Sequence, residues 1–228
     1  MSKIICLETS GKDCSVALAQ AQRIIVRQSQ SIAQSHSASI NIMLQAILQQ
    51  SQSHWNEIAA IAVSIGPGSY TGLRVGLSTA KGVAYALKIP IVGINTLRII
   101  ARAAQQKAPN NTIYLPMIDA RRMEVFCAAY TTKIQEIMSP KAYILHENSF
   151  AELREKWTDI CICGSGAEKA KNFLTDPKFS FQSATEYYLD ALAELAFEAY
   201  SQQQFLDLAY ATPFYLKAFG EQTAASKY

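Results

Sequence analysis

Between Gly66 and Gly72 the chain reads GPGSYTG, the stretch whose residue types and spacing come nearest to a ligand-binding turn. Gly66 and Gly68 permit backbone angles that other residues resist, Pro67 fixes one φ, and Ser69 or Thr71 is placed to cap a following helix. A strand, a glycine turn and a helix N-terminus together make an anion site, because free backbone amides and the helix dipole point the same way. The motif is not a P-loop: GLR stands where GK[ST] would end one, and the glycines do not follow GxGxxG. A structural turn is the first reading and a phosphate cradle the second.

The other reactive side chains do not converge. His36, His54 and His146 are far apart, none lies in a motif, and there is no HExxH. Asp119, in the turn DARRM, follows an apolar run and precedes two arginines, so it reads as a turn aspartate paired with Arg121 or Arg122. Cys161 and Cys163 fall on one face of a short strand, without the CxxC spacing of a zinc or redox site, and read as packing. Gly164-Ser165-Gly166 reads as a tight turn. A hydrolase needs a nucleophile, base and orienting group, or a metal-bound water. Neither set can be assembled from these residues.

Composition bounds the rest. With 228 residues, 50% hydrophobic and 17% charged, the chain can bury one or two ordinary cores. Its formal charge is +3, but the cations are scattered and Arg121-Arg122 is the one adjacent basic pair, so no nucleic-acid stripe stands out. The opening MSKIICLETS lacks a long apolar signal core, and no run of about 18 apolar residues occurs. A cytoplasmic protein with no membrane segment is expected. Five cysteines, an odd number, fit reduced thiols better than a disulfide framework.

Around the glycine turn, the periodicity lays out two similar halves. Lys3 to Glu8, Ser15 to Gln20 and Ile24 to Ser29 read as a β-meander. A helix from His36 to about Gln50 follows, with Ile40, Met43, Leu44, Ile47 and Leu48 on one face and Asn41, Gln45 and Gln49 on the other. A polar face without charges suits an interface. Ala60 to Ile65 is a buried strand, and from Gly72 a helix carries a narrow polar stripe of Arg74, Ser78, Lys81 and Tyr85. Gly72, Gly76, Ala80 and Ala84 recur every fourth position with Leu73 and Leu77 beside them, so apolar or small surface covers more than one sheet can use. The excess implies a second layer, from this chain or a partner. Ile40, Met43, Leu44, Ile47, Gly72, Leu73, Gly76, Leu77, Ala80 and Ala84 are therefore the expected partner interface. Ile89 to Ile94, a helix from Leu97 to Lys107 capped by Thr96, a second meander (113–145, interrupted at Pro140), a short helix near Leu153, a strand at 160–163 and a helix from Leu189 to Tyr200 complete the chain. The expected division is 1–107, a reduced 108–217, and a disordered tail 218–228.

Three blocks, IICLETSGKDCSVAL, HSASINIMLQAIL and GPGSYTGLRVGLSTAKGVAYALKIPIVGINTL, together resemble the signature of the TsaB (YeaZ) family, and Pro213, Tyr215, Leu216 and Lys217 resemble its ending. The resemblance implies an α/β, two-lobed actin-like/Hsp70-like ATPase fold of the ribonuclease H-like class that has lost its own catalysis. It implies assembly with a TsaD-like catalytic subunit and a TsaE-like ATPase to make threonylcarbamoyladenosine at position 37 of tRNA. A homodimer is implied when the partner is absent, and tRNA is met only through the complex. Nucleotide-binding members of the superfamily carry an aspartate in the first turn; the corresponding positions here are Glu8, Thr9, Ser10 and Gly11, with Gly66, Gly68 and Ser69 opposite, a vestigial phosphate turn. A glutamate, one methylene longer, would misplace a metal-bound water. Catalytic relatives bind metal through two histidines on the helix that begins at His36, but the position four on is Ile40, so no metal site is expected. No cofactor of this chain's own is implied, and ATP or ADP would enter at an interface of the complex. The rival readings are a sugar-kinase-like or acetate-kinase-like phosphotransferase and a plain homodimeric binding protein.

Overall fold

The computed structural model describes residues 2–31, 38–108, 113–182 and 188–217. The expected helix start at His36 and the tail 218–228 lie outside them. The first sheet is built from β1 (Lys3–Glu8), β2 (Asp13–Gln20), β3 (Arg23–Ser31), β4 (Ile58–Gly66) and β5 (Ile91–Asn95), in the order β3-β2-β1-β4-β5. The second contains β6 (Ile113–Asp119), β7 (Glu124–Thr131), β8 (Glu136–Ile144), β9 (Ile160–Cys163) and β10 (Phe179–Gln182), in the order β8-β7-β6-β9-β10. Each sheet is an antiparallel meander extended by two parallel strands, so the two halves repeat one topology. Pro140 sits in edge strand β8, where a missing N–H costs no ladder bond on the open side, so the strand continues through it.

Strand alternation assigns the cores. Ile4 and Cys6 of β1 and Ala60 and Ala62 of β4 point to one face, while Ile5 and Leu7 with Ile61 and Val63 point to the other. The second face is covered by α1 (Ala38–Gln50) and α2 (Tyr70–Leu87). The first is covered by α6 (Tyr188–Ser201), through Leu189, Leu192, Leu195 and Ala196. Between the lobes, α3 (Thr96–Lys107) divides its apolar residues: Ile99 and Ala103 pack into the first lobe, Leu97, Ile100, Ala101 and Ala104 into the second. Arg102 on α3 reaches Glu198 at 2.8 Å and Glu194 at 3.5 Å on α6, tying the crossing helices together. Asn95, not Thr96, caps α3, its Oδ1 accepting from Leu97 N–H at 2.9 Å. The second lobe is reduced in its outer helices: α4 (Ala151–Lys156) and α5 (Ala167–Lys171) have 6 and 5 residues, against 13 and 18 in α1 and α2.

After α6 the chain straps the lobes. Leu206 N–H donates to Ile91 O at 2.9 Å and Phe214 N–H to Ile65 O at 2.7 Å. Lys217 then pairs with Glu124 at the start of β7, at 2.6 Å.

Candidate functional site

The helix faces expected to meet a partner turn inward. Ile40, Met43, Leu44 and Ile47 of α1 are buried on the first sheet, as are Gly72, Leu73, Gly76, Leu77, Ala80 and Ala84 of α2. A Cβ on Gly72 would collide with the Thr9 carbonyl oxygen, and one on Gly76 with Thr9 Oγ1. These ten residues are core rather than interface. The small-residue stripe exists because α2 lies directly on the turn after β1, so the second layer inferred for this face is the chain's own.

A second stripe of small residues was overlooked. Ser78, Gly82 and Ala86 share the opposite face of α2, again at every fourth position, and a Cβ on Gly82 would meet nothing within 4 Å. With Asn41, Trp55, Thr79, Val83 and Leu87 they line a groove of about 740 Å³ between α1 and α2. Large apolar side chains stand in solvent on these helices: Ile42 is 65% exposed and Tyr85 77%. Asn41, Gln45 and Gln49 of α1 are exposed, as expected of its uncharged polar face. The period-four pattern of 78, 82 and 86 was the available signal.

The turn after β1 is closed. Glu8 is 6% exposed, and its Oε1 accepts from Ser10 N–H at 2.7 Å, from the Ser10 hydroxyl at 2.5 Å and from the Ser64 hydroxyl at 3.1 Å. Glu8 Oε2 and Thr9 Oγ1 are buried without a hydrogen-bond partner among the described residues. Burial raises the Glu8 carboxyl above its ordinary range, and the bonds from Ser10 and Ser64 offset only part of that. Ser69 caps α2, accepting from Gly72 N–H at 3.2 Å, and its own N–H donates to Ser10 O at 2.8 Å. A Cβ on Gly68 would lie 2.6 Å from Ser10 O, so the two turns press together. Of the seven turn residues, Glu8, Thr9, Ser10, Gly68 and Ser69 come together here, Gly66 packs instead against the Phe214 carbonyl and Leu73, and Gly11 is exposed with open space around it. In this arrangement the Ser10 amide is engaged by the chain's own Glu8 carboxylate.

The equivalent turn of the second lobe is open. Asp119 pairs with Lys169, not with Arg121 or Arg122, and Arg121 contributes its backbone N–H, 2.7 Å from Asp119 Oδ1. Burial alone would raise the Asp119 carboxyl, but the Lys169 and Arg121 hydrogen bonds outweigh it and hold it below its ordinary value. Gly164-Ser165-Gly166 forms the turn into α5, its Ser165 hydroxyl accepting from Asp119 N–H at 3.1 Å. Cys161 and Cys163 are buried against α3, as the packing reading has it. Among the described residues no group of three or more His, Cys, Asp or Glu side chains could hold a metal ion, and no helix is long and apolar enough to cross a membrane.

Two lobes of repeated topology, joined by the crossing helices α3 and α6, define an α/β protein of the actin-like ATPase class. The Thermus thermophilus ROK hexokinase shares that fold, with a TM-score of 0.54 over 88% of this chain and 99% of that one at 8% identity. The family model described as TsaD, tRNA N6-adenosine threonylcarbamoyltransferase, matches residues 22–148. The tRNA threonylcarbamoyladenosine biosynthesis protein TsaB of Escherichia coli K12 is 30% identical over 167 residues, covering 69% of this chain and 70% of that protein. YeaZ from Pseudomonas aeruginosa superposes with a TM-score of 0.78 at 25% identity, over 95% of this chain and 100% of that one. The chain belongs to the TsaB (YeaZ) family.

Proposed function

We propose that this chain is the non-catalytic partner of a TsaD-like subunit in forming threonylcarbamoyladenosine at adenosine 37 of tRNA, and that it acts by contact. The observation that carries the reading is the open groove over Ser78, Gly82 and Ala86, flanked by exposed Ile42, Trp55 and Tyr85. Small residues let a partner helix approach closely, and the aromatic rim supplies apolar area to bury. In place of the inward face, this outer one meets the TsaD-like subunit, or a second copy of the chain when that subunit is missing. The name borne by the E. coli relative, a tRNA threonylcarbamoyladenosine biosynthesis protein, supports the pathway. A phosphotransferase reading has no such support, because likeness to a sugar kinase at 8% identity speaks for fold alone and the first-turn amide is occupied. The TsaE-like ATPase, and ATP or ADP, belong to the assembled complex, in the cytoplasm, and tRNA is met only there.

The test is reconstitution. A TsaD-like protein supplied with threonylcarbamoyl-adenylate, tRNA and its ATPase partner should form little modified nucleoside until this chain is added. Gly82→Arg and Ala86→Arg should keep the circular dichroism and melting of the parent chain, since both positions face solvent, yet lose assembly by sedimentation and modification together. Full modification without the chain, or full assembly by both variants, would refute the reading.

A further inference from the structure

The hairpin between β6 and β7 holds Arg121 at φ 72° and Arg122 at φ 48°, left-handed conformations that glycine or asparagine ordinarily fill. Both side chains are exposed, and neither guanidinium forms an ion pair among the described residues. Lys12, exposed on the β1–β2 turn of the other lobe, lies near enough to Asp119 for its charge to help hold that carboxyl low. Two acids of the hairpin are already engaged elsewhere: Asp119 pairs with Lys169 and Glu124 with Lys217.

We propose that Lys12, Arg121 and Arg122 form a contact site for an RNA phosphate backbone, which under the function proposed above is that of the tRNA. The inference rests on that reading for the identity of the RNA. An acidic protein surface is the less fitting occupant, because tight protein contacts centre on an apolar anchor fully buried in the contact, and the apolar side chains beside these charges, Met123 and Ile144, are two half-exposed side chains at a sheet edge. Phosphate contacts need only cations and N–H donors, and they position rather than specify. The site also stays free when the groove is filled. Because α2 starts at the C-terminal end of β4 and runs back, the groove over its second half lies toward the far end of the sheet. The chain would then touch the TsaD-like subunit at one end and the RNA at the other.

Glycine is the informative replacement, since it relaxes both left-handed positions while deleting both charges. The double variant Arg121→Gly/Arg122→Gly should melt at the same temperature as the parent or higher, and it should assemble normally. In the assembled complex, tRNA affinity measured by fluorescence anisotropy should fall, and the slope of log K against log salt should become shallower by about 2. Adding Lys12→Glu should lower affinity further. A variant complex with the parent's slope and affinity overturns the proposal while leaving the function reading intact. Loss of assembly by the glycine variant overturns it as well, because the tip would then be a protein contact. If the parent chain neither assembles nor supports modification, the function reading falls and this inference falls with it.

Discussion

The two lobes run the same strand order and place an acid at the end of the same strand, Glu8 on β1 and Asp119 on β6, but they treat it in opposite ways. In the first lobe an 18-residue helix lies on the turn, the carboxylate is sealed in, and its partners are an amide and two hydroxyls. In the second lobe the corresponding helix α5 has 5 residues, the turn stands in solvent, and the carboxylate takes a lysine. The helix makes the difference. A long helix pressed on the sheet buries the turn beneath it, whereas a short one leaves the equivalent turn free to display charge. On the readings proposed above, one lobe serves packing and a partner helix and lends Lys12, and the other carries the two arginines that face the RNA.

The largest effect should follow from prising the long helix off its turn. Gly76→Leu would force a branched side chain into Thr9, and we expect a loss of about 3 kcal/mol or more, read from urea unfolding. Two-state unfolding with parental stability would mean that α2 does not lie on the turn and that the contrast between the lobes is smaller than described.

A middle effect, and a sign, should come from Glu8. Its carboxyl is raised by burial, so the stability tied to it is fully present below the ordinary carboxylate range and is lost as pH rises through the raised folded value. Glu8→Gln keeps the accepting oxygen and removes the charge. It should leave the chain about 1 kcal/mol more stable at pH 8, with the difference closing at pH 4. An equally large gain at both pH values would show that the carboxyl does not titrate differently on folding.

Asp119 should give the smallest effect, with the opposite slope. Its lowered carboxyl contributes stability above the ordinary carboxylate range that disappears as pH falls through the folded value. Because the side chain is nearly half exposed, solvent screens the pair and Asp119→Asn should cost about 0.5 kcal/mol or less at pH 7, and nothing at pH 2. Thermal melts at the two pH values measure it, and a loss of several kcal/mol would place Asp119 in the same buried class as Glu8.

The sequence by itself determined what depends on neighbours along the chain. Short apolar runs in KIICLE and AIAVSI marked buried strands, turn residues marked two meanders, Ser69 or Thr71 marked the start of α2, with Ser69 the one that caps it, and three motif blocks marked the family. β10, four residues of FSFQ after a lysine, was too short to show a period and went unread. What only the tertiary structure decided was which of two identical patterns faces out. On α2 both 72/76/80/84 and 78/82/86 recur at four, and a helical period gives angles about an axis without saying on which side the sheet will lie. The same holds for charge: Lys169 reaches Asp119 across 50 residues, and Lys12, from the other lobe, comes within electrostatic reach of Asp119 only through the fold. A scattered set of cations becomes a patch when folding, rather than spacing, brings it together.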